Sequence, residues 1–346
     1  MLNVAIGVLS LATLMYVPVA GALQRSPDVA AVLAMARGIF KPLPLSMGVP
    51  QRPISTSLVK LGRDLFFDPR LSADGTVSCA RCHQPALYGS DGLATSRGVD
   101  DRANPRHAPT VLNAALQFRV LWRGERSDVE GQAMRAFLGS SSFGNASESA
   151  VIAKVDRIPG YAPLFKEAFP GEQHPITLEN MGRAIGAYER TLVTPAPFDA
   201  FLKGDASALS RAQLTGLRTF IETGCPACHN GADVGGNSFR KFGITEEYWK
   251  ATGSKTIDKG RFDVTRDPKD LYVFKVPTLR NVAMIPPYFH DGSVATLPQA
   301  VRIMGLLQLG KKLTDAQIAS IVSFLGSLTG PLPDGFASAP ALPPAR

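Results

Sequence analysis

Cys79-Ala80-Arg81-Cys82-His83 is the stretch on which the reading of this chain turns, and it has a twin at Cys225-Pro226-Ala227-Cys228-His229. In an exported protein, two thiols two residues apart and followed at once by histidine read as a c-type haem attachment site. Each thiol can close a thioether onto a haem vinyl group, while the short turn aims the imidazole at the iron. The two copies use all four cysteines of the sequence, so none is left for a disulfide. Two Cys-x-x-Cys pairs could also make a four-thiolate zinc site, but neither pair would then need its trailing histidine. A thioredoxin-like redox motif would need only one pair, set beside a βαβ pattern that the chain lacks.

Working outward, the chain of 346 residues allows roughly two domains at about 150 residues each. The second motif lies 146 residues beyond the first, which suits one haem per domain. Residues 4–22 carry no charge and end in Val19-Ala20-Gly21-Ala22, the pattern of a secretory signal cut after Ala22. Its n-region has no Lys or Arg, and its apolar run approaches spanning length, so an uncleaved membrane anchor is the competing reading. Export, into the periplasm of a bacterium, fits haem attachment. The net charge of +8 and pI near 9.4 could steer an acidic protein partner, but they say nothing of fold. No feature calls for a nucleic-acid partner.

The expected organisation is a signal peptide over 1–22, a first haem domain over 23–195, a second over 196–335 and a Pro/Ala-rich tail over 336–346. Ala30 to Pro53 reads as an irregular lead-in, and the tail from Pro331 as loose. Leu58, Leu61 and Leu65 have helical spacing before the first motif, as do Leu214, Leu217, Phe220 and Ile221 before the second. Leu61-Gly62-x-x-Leu65-Phe66 echoes Gly216-Leu217-x-x-Phe220, a weak internal repeat. Further amphipathic helices are spelled by Leu178, Met181, Ile185, Tyr188 and Leu192, and by Ile318, Ile321, Val322 and Leu325. Capping boxes are expected at Ser210/Gln213, Thr314/Gln317, Ser127/Glu130 and Asn145/Glu148. With no persuasive run of alternating strands, the fold class is mainly α: two cytochrome c-like domains packed against each other.

These residues together resemble the bacterial di-haem cytochrome c peroxidase family, including its MauG branch, over about residues 55–330. The marks are Leu65-Phe66-Phe67-Asp68-Pro69-Arg70-Leu71-Ser72, Ala108-Pro109-Thr110-Val111-Leu112-Asn113, Asp258-Lys259-Gly260-Arg261-Phe262, Pro277-Thr278-Leu279-Arg280-Asn281-Val282 and Pro287-Tyr288-Phe289-His290-Asp291-Gly292. The resemblance implies a peroxidatic first haem with His83 as proximal ligand, and a second, electron-relaying haem with His229 as proximal ligand. Met304, in Met304-Gly305-Leu306-Leu307-Gln308-Leu309-Gly310, matches the relay haem's sixth ligand, where the MauG branch carries tyrosine. Where the peroxidases carry a distal histidine for the first haem, this chain has Val99, and the MauG branch shares that vacancy.

For the distal side the resemblance implies a glutamine, matched by Gln132, and a glutamate. Ungapped alignment puts that glutamate at Ser142 or Phe143, and a small shift brings Glu148 forward as acid–base candidate. Trp122 matches the tryptophan between the haems, while Arg261 and Arg280 match arginines that could pair with haem propionates. His107 stands where the family has an asparagine that helps bind calcium, with carbonyls from Ile285 and Pro287 completing the set. Calcium prefers oxygen, so a histidine there puts the ion in doubt, and a hydrogen-bonded buried ring is the competing reading. His174 reads as surface, and His290 as structural or as a neighbour of the ligands.

The implied activity is reduction of hydrogen peroxide to water with electrons from a small cytochrome c or copper protein. A MauG-like oxidation of a protein side chain and a pure two-haem electron carrier are the alternatives. A homodimer is compatible with the resemblance and is not decided by the sequence.

Overall fold

The computed structural model describes Met1 and residues 28–345, so the expected signal segment and its cut after Ala22 lie outside the described residues. Among those residues no helix is long and apolar enough to cross a membrane.

The first half is built on two crossing helices. Helix α1 (Val29–Ile39) precedes them; α2 (Thr56–Phe67) starts where the Ser55 hydroxyl accepts from Leu58 N at 3.2 Å. The short α3 (Cys79–Cys82) carries the first motif, followed by α4 (Val129–Leu138), α5 (Glu148–Asp156), α6 (Tyr161–Ala168) and α7 (Leu178–Glu189). Helix α7 lies across α2 so closely that a Cβ on Gly62 would overlap the Ala184 carbonyl. One turn on, the Phe66 ring meets Tyr188 edge-on at 5.4 Å. Leu61, Leu65, Met181 and Ile185 fill this core completely buried.

The second half repeats the device. Helices α8 (Pro197–Lys203) and α9 (Arg211–Thr223) lead into the second motif. After β1 (Phe239–Lys241), α10 (Tyr248–Thr252), α11 (Phe262–Thr265) and β2 (Val273–Lys275) come α12 (Leu297–Leu309) and α13 (Asp315–Gly326). A Cβ on Gly216 would overlap the Ser320 carbonyl where α9 and α13 cross, and Phe220 faces Phe324 at 5.3 Å. The internal repeat is therefore a packing motif: glycine lets two helices touch, and an aromatic pair four residues on locks them. Among the described residues, β1 and β2 form one short antiparallel ribbon pairing Phe239 with Lys275, and the chain is otherwise mainly α.

Two of the four capping boxes form as expected, at Ser210/Gln213 and Thr314/Gln317. The other two shift. Asp128 caps α4, accepting from Gly131 N at 2.8 Å, because Glu130 turns inward to pair with Arg190. Ser147 caps α5, while the Asn145 amide donates to the carbonyls of Leu71 and Phe137 at 2.9 Å each.

The two ends of the chain pack against the cores in ways their composition did not suggest. The expected irregular lead-in is helical from Val29, capped by Asp28, and its alanine-rich sequence is a good helix former. It belongs to the second core: Val32, Ala36 and Phe40 are buried there, Phe40 against Phe198 at 5.3 Å. Conversely, the expected loose tail is docked on the first half. Its helix α14 (Asp334–Ala337) buries Phe336 completely against Phe66, and Arg63 donates to the carbonyls of Gly335 and Ser338. Each half is thus completed by the far end of the chain, which composition alone could not show.

Candidate functional site

At the first motif a single helical turn, closed by His83 N donating to Cys79 O at 3.0 Å, holds both sulfurs and the imidazole together. His83 Nδ1 lies 3.0 Å from Gly89 O. A carbonyl only accepts, so Nδ1 carries the proton and Nε2 keeps its lone pair for a metal. Burial holds the ring below its ordinary pKa, in the neutral form a ligand needs. The second motif repeats this arrangement, with His229 N bonded to Cys225 O at 3.1 Å and Nδ1 facing Val234 O at 3.3 Å. There burial lowers the imidazole to about 4. None of the four cysteines is paired in a disulfide.

Cys225, Cys228, His229 and Met304 all line one cavity of about 440 Å³. That size lies in the range of small-molecule and cofactor sites, ~300–1,000 Å³. Its other walls are mostly apolar, with Phe220, Phe242, Leu297 and Leu325 among them. Two thiols, a neutral imidazole and a thioether converging on an apolar slot are the donor set a c-type haem requires, so these residues fit the group.

The same cavity reaches the first half through Trp122 and His107. The Trp122 indole N–H donates to His107 O at 2.9 Å, and Lys275 N donates to Trp122 O at 2.8 Å, which fixes the indole between the halves. Both nitrogens of the buried His107 ring are engaged: Nδ1 donates to Leu93 O at 2.6 Å, and Nε2 lies 3.3 Å from the Ser90 hydroxyl. The ring is spent on its own loop, and neither nitrogen is left to face an ion. Ile285 and Pro287 line the cavity wall. His290 is buried in the same wall, its Nε2 3.8 Å from Asp258 Oδ2, whereas His174 is exposed.

The two expected propionate partners are committed elsewhere. Arg280 is fully buried in a bidentate pair with Asp199, at 2.8 and 2.9 Å, and its remaining reach goes to Ala232 O. Arg261 stacks its guanidinium over Phe239 at 4.0 Å and donates to Arg123 O. Neither lines the cavity. The cations that do are Arg240 and Lys275, and the Lys275 amine donates to Gln117 Oε1 at 2.5 Å and is pulled down to about 8 by burial.

Of the residues expected on the distal side of the first haem, Val99 is buried and Gln132 sits half-buried on α4. Phe143 packs into the core against Phe137 at 4.8 Å, and the Ser142 carbonyl accepts from Val99 N. Glu148 is exposed at the first turn of α5, and the structure does not bring it together with Gln132. Two buried acids of this half escaped the sequence reading. Glu130 pairs with Arg190 at 2.9 Å. Glu189, at the end of α7, is buried without a hydrogen-bond partner among the described residues. Aligning the two helix crossings would have exposed it, since the second half has leucine at that place.

The fold and site define a class: a mainly α protein of two halves, each carrying two thiols and a histidine in one short motif. The family described as di-haem cytochrome c peroxidase matches residues 56–207. The chain is 42% identical over 300 residues to the cytochrome c551 peroxidase of Pseudomonas aeruginosa, covering 86% of each. It is 37% identical over 247 residues to the methylamine utilization protein MauG of Methylorubrum extorquens, covering 71% of this chain and 67% of that one. Among solved structures, a MauG-like protein associated with microbial copper homeostasis superposes with a TM-score of 0.74 at 26% identity, over 84% of this chain and 94% of that one. This chain belongs to the di-haem cytochrome c peroxidase family, whose members are haem oxidoreductases carrying two haems.

Proposed function

We propose that the chain is an exported, periplasmic peroxidase that reduces hydrogen peroxide to water, using electrons from a small cytochrome c or copper protein. The observation that carries this reading is an apolar cavity whose lining includes Met304, His229 and Trp122. Haem, when bound, supplies the iron that cleaves the peroxide O–O bond in one half and stores an electron in the other.

The remaining work falls to the side chains. Cys79 and Cys82, and likewise Cys225 and Cys228, close thioethers that hold each group without relying on polar contacts. His83 and His229 ligate through Nε2, because their Nδ1 protons are committed to backbone carbonyls. Met304 supplies a thioether to the second site, which favours the reduced metal and suits an electron store. Val99 offers no ligand, which leaves the first site open to peroxide. The Gln132 amide orients peroxide there, and the Trp122 indole carries electrons between the halves. Glu148 is not assigned the acid–base role, because its carboxylate is in solvent at the surface.

Ferric EPR combined with steady-state peroxide turnover tests this reading. One high-spin signal that shifts with cyanide, one low-spin signal that becomes high-spin in Met304→Ala, and rapid oxidation of a reduced small cytochrome are expected. Two low-spin signals and no turnover would leave only an electron carrier. The buried Val99 favours one second reading, oxidation of a protein side chain as its MauG relatives' branch suggests. Negligible cytochrome turnover with a long-lived oxidised state would select it.

A further inference from the structure

The two halves can be overlaid through their helix crossings. Gly62 touches Ala184 in the first and Gly216 touches Ser320 in the second. Four residues on stand the aromatic locks, Tyr188 and Phe324. The next residue in each case takes the same place in the overlay. In the second half it is Leu325, which lines the cavity holding Cys225, Cys228 and His229. In the first half it is Glu189.

The Glu189 environment agrees with this placement. Its side chain is buried, 8% exposed, and lies close enough to Cys79 for the two to interact electrostatically. The adjacent Arg190 is spent elsewhere, giving Nε and Nη2 to Glu130 and Nη1 to Met47 O. The charged groups facing Glu189 are therefore Glu130 from α4 and Arg190 at the end of α7, already paired with each other. From α2, Asp64 is engaged with Lys60 and Arg63 with the tail carbonyls. Burial first, and Glu130 second, push the carboxyl up to about 8 against the pull of Arg190. A buried carboxyl where the twin domain has leucine costs stability, and a group held at such a cost is a candidate for a functional role.

We infer that Glu189 is the proton-holding group of the first haem: its carboxylate takes up one proton from solvent as that haem gains one electron, and returns it as the electron leaves. The charge entering this low-dielectric half is thereby neutralised, one proton for each electron. The inference rests on the two-haem reading alone and needs no peroxide chemistry.

Spectroelectrochemical titration of the two-haem protein, at pH values bracketing about 8, tests it. Below about 8, where the carboxyl already holds its proton, the first haem's midpoint potential is expected to be flat, and above it to fall with rising pH, toward about 59 mV for each tenfold change in proton concentration. The second haem has Lys275 in its cavity wall and carries a dependence of its own, which stays unchanged in the Glu189 variants. In Glu189→Gln, the isosteric variant, the slope of the first haem disappears. Glu189→Leu, which installs the second half's own residue, gives the same result, and bound-haem absorbance and circular dichroism confirm that both variants fold. A slope that survives in either variant, or a wild-type first haem with no slope, overturns the inference. Peroxide turnover is measured separately, so either result is independent of the peroxidase reading.

Discussion

Asp233 shows how much a single buried side chain can set. It stands four residues beyond His229, with Oδ1 accepting from the Thr278 hydroxyl at 2.8 Å and Oδ2 buried without a partner. Burial pushes its carboxyl up to about 7, although Thr278, Arg280 and Lys275 all pull the other way. A folded-state pKa above the unfolded one means the native state holds the proton more tightly. The stabilisation is full below the unfolded pKa, near 4, and is lost as pH rises through about 7. Asp233→Asn removes the titration while keeping an acceptor for Thr278. Urea denaturation at a series of pH values should show the variant gaining on wild type from acid to neutral pH, by a few kcal/mol in all. A difference that stays constant with pH would show that Asp233 does not titrate in this range.

The helix crossings are the elements that aim both haem motifs, and their tolerance can be tested by adding one methyl group. Gly62→Ala or Gly216→Ala puts a Cβ into a carbonyl of the opposing helix. Close-packed interiors yield poorly, so each should cost about 1–3 kcal/mol or more. Gly38, exposed within α1 with open space at its Cβ, is the control, and alanine there should stabilise by about 1 kcal/mol. Thermal unfolding of the three variants gives the answer, and equal effects at all three would mean that close approach is not what these glycines provide.

These elements were legible because their signals are local: a capping box, a 3.6-residue stripe, and a glycine four residues before an aromatic. Glu130 and Glu189 were not, because each looks like an ordinary polar position on a helix until the partner helix is placed. The pairing of Arg280 was hidden for the same reason, its motif being visible but its partner Asp199 lying 81 residues away.

At the scale of the molecule the chain crosses itself, with α1 completing the second core and α14 the first. Both Phe40 and Phe336 are almost fully buried, in the half farther from them in sequence. Such exchanged arms oblige the halves to unfold together, because freeing either arm opens a core that belongs to the other end. Tyr188, one of the aromatic locks, also donates its hydroxyl to Gly335 O at 2.9 Å, so the tail bears directly on the crossing that carries Glu189. Phe336→Ala should cost about 3–5 kcal/mol and release the tail. Limited proteolysis would then cut near Pro331 much faster than in wild type. Thermal unfolding followed at each haem's own absorbance would separate into two steps, with the first half melting before the second. Unchanged cleavage together with one cooperative transition would show that the tail contributes surface cover and no coupling between the halves.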